Sequence, residues 1–99
     1  MKYFFCRLNP PRQDFVQTMT AEEGALMQEH AMYWRGMMDR GLVAVFGLVA
    51  DPAGAYGVGI LTLDDDGDAR ALTSGDPTIR GNRGFRYDIH PMPRAVVKP

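Results

Sequence analysis

The chain has 99 residues, 45% of them hydrophobic and 23% charged, which is the composition of one globular domain with its own core and not of a disordered tail. Eleven basic residues against twelve acidic ones leave a net charge of −1, so there is no broad electrostatic footprint for nucleic acid or an anionic membrane. A single cysteine, Cys6, excludes an intrachain disulfide and a cysteine-built zinc site, and no apolar run approaches the ~20 residues of a membrane span. The expected setting is therefore a reducing cytoplasm, and the opening apolar stretch is shorter than the ~7–15-residue core of a signal peptide.

Tyr3 to Leu8 is rich in aromatic residues and reads as strand one, ended at Asn9-Pro10-Pro11 because proline cannot donate to a ladder. A long loop then runs to about Met19. It carries Phe15 and Val16 and is expected to border a cavity mouth. Thr20 to Arg40 is the clearest element. Thr20 and Glu23 form a capping-box pattern, and Gly41 supplies the stop. Leu26, His30, Tyr33, Trp34 and Met37 fall on one side of this helix, and Met27, Ala31 and Met38 widen the stripe.

Val43 to Val49 is continuously apolar and predicts a second strand buried on both faces. Asp51-Pro52-Ala53-Gly54 signals a turn, and Val58 to Leu63 follows as strand three. Asp66 to about Ser74 predicts a short helix. Asp76-Pro77 then caps and opens one further turn that stops at Gly81. Phe85 to Ile89 alternates as strand four.

The order β-α-β-β-α-β over a single domain, residues 1–99, is the α+β ferredoxin-like arrangement with a four-stranded antiparallel sheet. Two helices cover one sheet face only. Strands one to three nevertheless carry apolar groups on both faces, so a second copy of the chain is expected to cover the other face, as in a dimeric α+β barrel that encloses a cavity.

His30 lies in the apolar stripe of the long helix, where imidazole can serve as a buried core residue or as a general acid or base. Asp51 closes strand two, and Pro52 biases it toward extended geometry, which would hold its carboxylate where it could accept a hydrogen bond from His30. Tyr33 and Trp34 continue the histidine's side and each brings a polar donor suited to a pocket. Phe4, Cys6 and Leu8 suit the helix side of strand one, which directs Tyr3, Phe5 and Arg7 to a cavity or partner, with Arg7 able to meet an anionic ligand. Cys6 reads as a buried apolar residue. The Asp64–Asp68 run fails as a calcium loop, because threonines stand at its first and last ligand positions. Arg83 to Tyr87 echoes an RNA-binding strand, but Arg86 and Asp88 replace the small and apolar residues it needs.

Taken together, Met1-Lys2-Tyr3-Phe4, His30-Ala31-Met32-Tyr33-Trp34, Gly47 to Gly54, Asp76-Pro77 and Phe85 to Met92 resemble the YCII-related (YciI-like) family over nearly the whole chain. The resemblance implies a dimeric α+β barrel and a His–Asp active-site pair, which by motif position would be His30 and Asp51. A related member is a dehydrochlorinase of a chlorinated, hydroxylated aromatic compound, which implies lyase-like proton chemistry. The expected function is therefore acid–base catalysis by His30 and Asp51 on a small aromatic or carbonyl-bearing molecule. Tyr33, Trp34, Phe5 and Arg7 would line the site, with no metal, no organic cofactor and a homodimeric partner. The alternative is a non-enzymatic small-ligand module on the same barrel.

Overall fold

The computed structural model describes residues 1–99 as eight elements: β1 (Lys2–Asn9), α1 (Phe15–Thr18), α2 (Ala21–Asp39), β2 (Val43–Val49), β3 (Tyr56–Leu63), α3 (Ala69–Ser74), α4 (Pro77–Arg80) and β4 (Arg86–Met92). The four strands form one sheet in the order β2-β3-β1-β4, and every neighbouring pair is antiparallel. This is the expected ferredoxin-like α+β topology. The strand β3 separates β1 from β2, so the connection through α2 spans a strand position.

Local chemistry sets the ends of α2. The Thr20 hydroxyl accepts from the Glu23 amide at 3.1 Å, and Glu23 Oε1 accepts from the Thr20 amide at 3.0 Å, so the capping box is complete. Such a cap stabilises a helix by about 1 kcal/mol. At the other end Gly41 takes φ +79°, the left-handed conformation that glycine adopts without a Cβ penalty. Trp34 and Met37 point down from α2 and are almost fully buried against Cys6, Leu61 and Leu63. Gly59 makes this approach feasible, since a Cβ there would run into the six-membered ring of Trp34. A second small cluster, Leu8, Phe15 and Phe85, packs α1 onto the sheet, with the two phenyl rings edge to face at 5.2 Å.

Two expectations are corrected. The segment read as a plain loop up to Met19 contains the helical turn α1. The strand β2 is not buried on both faces: Val43 is buried, but Val45 and Leu48 are more than half exposed. It is the outer strand of the sheet, paired on one side only; Val45, opposite Ile60, faces the uncovered side, whereas Leu48, opposite Gly57, lies on the helix side and lines an open cavity there. A register shift between Val43 and Val45 also breaks its alternation. On the opposite edge, β4 runs on past Ile89 through Pro91 to Met92, which an edge strand tolerates. Cys6 and Leu8 face the helices. Phe5, paired with Ile60 and His90, and Arg7, paired with Val58, therefore face the uncovered side.

Candidate active site around His30 and Asp76

The short helix α4 is entered through Asp76, which has no solvent exposure. One carboxylate oxygen, Oδ1, accepts from the Thr78 amide and hydroxyl, both at 2.9 Å. The other, Oδ2, accepts from His30 Nδ1 at 2.7 Å, from Trp34 Nε1 at 3.0 Å and from the Tyr87 hydroxyl. Three elements thus converge on one buried carboxylate: α2 through His30 and Trp34, α4 through Thr78, and β4 through Tyr87. Trp34 Nε1 also reaches the Tyr87 oxygen at 2.9 Å.

Burial alone would push the Asp76 carboxyl up. The hydrogen bond and charge of His30, with the donors of Tyr87 and Thr78, outweigh it and hold the group below its ordinary value. Asp76 is therefore a carboxylate at neutral pH, and its acceptor role places the His30 proton on Nδ1. Burial, and then the charge of Asp76, push the Tyr87 phenol well up, so it remains a donor.

His30 also lines a cavity of about 310 Å³ between α2, the α1 segment and the sheet. Phe15, Val16 and Met19 from the α1 segment, Met27 from α2 and Phe46 and Leu48 from β2 make its wall largely apolar. The Asn9–Met19 segment, expected at the mouth of a cavity enclosed by a dimeric barrel, lines this cavity on the helix side of the sheet through Pro10, Phe15, Val16 and Met19. Arg12 fastens this segment: its guanidinium grips both Glu23 oxygens, at 2.9 and 2.7 Å, and donates to Thr18. The Arg12 hydrogen bonds, followed by those of Thr20, hold the Glu23 carboxyl down at about 2.

The expected partner of His30 is corrected. His30 pairs with Asp76 and not with Asp51. Asp51 Oδ1 accepts from the Ala53 amide at 2.8 Å in the β2–β3 turn, and Asp51 lines a separate, more open depression beside Gln13 and Gln17. The supporting residues are also placed differently. Trp34 lies beneath the site in the core and acts on Asp76. The Tyr33 hydroxyl donates to the Leu72 carbonyl at 2.6 Å. Phe5 and Arg7 lie on the uncovered sheet face; Arg7 donates to Asn9 Oδ1 at 3.0 Å and stacks 3.8 Å from the Tyr56 ring centroid. None of these four lines the cavity. Cys6 is buried as expected, and burial pushes its thiol up to about 12.

Sequence reasoning missed Asp76 and Tyr87 as members of the site. The only local signal at Asp76 was its cap before Pro77, and Tyr87 showed only that it sits on the inward face of strand four.

No family model matches the chain, and no curated protein matches it. Among solved structures, a formyltetrahydrofolate deformylase from Pseudomonas putida KT2440 is similar at 11% sequence identity and a TM-score of 0.43, over 91% of this chain. The chain spans 28% of that protein's length. No helix is long and apolar enough to cross a membrane.

Proposed function

We propose that the chain is a YCII-like acid–base enzyme in which His30 and Asp76 form the working pair. The observation that carries this reading is the 2.7 Å contact of His30 Nδ1 with a fully buried carboxylate, on a histidine that also opens on an apolar cavity. With Nδ1 committed to Asp76, the lone pair of Nε2 is free to take a proton from a bound molecule. Asp76 holds the tautomer and stabilises the imidazolium that forms. In an elimination, Nε2 takes a proton from a substrate carbon, the C–H electron pair becomes the new π bond, and the leaving group departs with its own pair. Nε2 then returns its proton to water.

The test uses a panel of small phenols and carbonyl compounds with an acidic C–H or a β-halogen, incubated in D₂O and followed by NMR for deuterium uptake or halide release. Turnover by the wild type that falls by at least about a hundredfold in His30→Ala and in Asp76→Asn supports the reading. Undiminished turnover in His30→Ala, or none across the panel, removes it. The non-enzymatic ligand-binding reading draws on the same apolar cavity and needs no free Nε2.

The uncovered sheet face supports a homodimer. Tyr3, Phe5, Val58 and Ile60 share that face by register and have no cover within the chain. We take a second copy, packed face to face, as the partner.

A further inference from the structure

We infer that the His30 cavity is built for an uncharged, largely apolar molecule about the size of one or two fused rings, and that it discriminates against carboxylates, phosphates and ammonium groups. The inference rests on the proposed function for the role of His30 but not for the class of ligand. The wall holds no lysine, arginine, aspartate or glutamate; of its two ionisable residues, His30 and Tyr56, the Tyr56 ring stacks on Arg7 on the other sheet face, which leaves His30. An anion entering it would lose its hydration and find no cation to replace it. The His30 imidazole does not fill that place. While neutral it lies against the carboxylate of Asp76, and on protonation it only balances that charge. An entering cation fares no better, because both oxygens of Asp76 are already engaged by His30, Trp34, Tyr87 and Thr78 and the residue has no exposed surface.

What remains is apolar surface from Phe15, Met19, Met27, Phe46 and Leu48, with the His30 imidazole as the polar side chain beside it. A cavity of about 310 Å³ lies at the small end of ligand sites, which span roughly 300–1,000 Å³. A flat ring system with one hydroxyl or carbonyl turned toward His30 uses both features. Arg7 was the sequence's candidate for an anionic ligand, but it is turned to the other sheet face and engaged by Asn9 and Tyr56.

The test compares three probes of one shape at neutral pH: 2-naphthol, 2-naphthoate and protonated 2-naphthylmethylamine. Binding is read from the methyl signals of Met19 and Met27 and from the imidazole nitrogens of His30. The expected result is that 2-naphthol binds at least about tenfold more tightly than either charged probe. It should also move the Met19 and Met27 methyls, and Ala31→Trp, which fills the cavity from an exposed helix position, should abolish its binding. Equal or tighter binding of a charged probe overturns the inference. So does a lack of 2-naphthol binding at millimolar concentration, or 2-naphthol binding that survives Ala31→Trp. If 2-naphthol moves the methionine methyls but leaves the His30 nitrogens unmoved, the ligand class stands and the acid–base role of His30 fails.

Discussion

Asp51 and Asp76 set the same local motif in two different surroundings. Each aspartate precedes a proline, and each caps a turn by accepting the amide two residues on, at 2.8 Å from Ala53 and 2.9 Å from Thr78. Locally the two are indistinguishable. They differ in the surroundings of the rest of the carboxylate: Asp51 sits in an open turn, whereas Asp76 is sealed beneath α2. That difference comes from tertiary packing between residues 46 apart in the chain, which spacing does not report. Replacing Asp76 by alanine leaves Trp34 Nε1, the Tyr87 hydroxyl and the Thr78 groups without their buried acceptor. The expected loss is roughly 3–5 kcal/mol, read from urea unfolding followed by Trp34 fluorescence. The pH dependence follows from the sign of the shift. Asp76 and Glu23 both titrate below their unfolded values near 4, so their contributions are complete above roughly pH 4. Stability should fall as pH drops from there toward the folded-state values, about 2 for Glu23, and Asp76→Asn should shallow that acid limb. An acid limb of unchanged slope in the variant would contradict the assignment.

Elements that carry their own chemistry were readable. The capping box and Gly41 bracket α2 within a residue of expectation, and Asp76-Pro77 opens α4 as its cap requires. The α1 turn escaped because four residues show no period, and because Phe15 and the Arg12–Glu23 clamp fix it through tertiary contacts. The strand β2 misled because an apolar run reports what must be covered and not which layer covers it. Gly59 lies within the predicted third strand and sets the distance between α2 and the sheet. Gly59→Ala brings a methyl group against the buried Trp34 ring, and neither the strand nor the indole can move freely. The expected cost is about 1–3 kcal/mol, seen as a lowered urea midpoint with an unchanged slope. Because Trp34 donates to Asp76, the same variant should also perturb the His30 ring signals. A fully wild-type His30 signal would show that the indole yields without disturbing the carboxylate.

At the scale of the molecule, the helices and the cavity occupy one side of the sheet, and the other side has no intrachain cover. Polar groups lie toward both ends of that face: Arg7, Asn9 and Asp88 bond among themselves and Arg7 stacks on Tyr56 at one, and Tyr3, Thr62 and His90 share the face at the other. The stretch between these ends, Phe5, Val58 and Ile60, is apolar, with His90 beside Phe5 at its margin. Two such faces related by a two-fold axis would bury this patch against itself, and a stable pair needs about 1,200–2,000 Å² in total. Sedimentation velocity at tens of micromolar should therefore give twice the 11.0 kDa chain mass. Ile60→Lys places a charge at the centre of the proposed interface but at a partly exposed position of the single chain, so it should yield a folded monomer with unchanged Trp34 fluorescence. A wild-type monomer would leave the apolar face unexplained by self-association. A dimer that tolerates Ile60→Lys would place the contact elsewhere, with the exposed Val45 and Leu48 of the β2 edge as the next surface to substitute. Because Leu48 also walls the His30 cavity, a contact along that edge would have the partner bordering the ligand site, whereas the face-to-face dimer leaves the cavity within one chain.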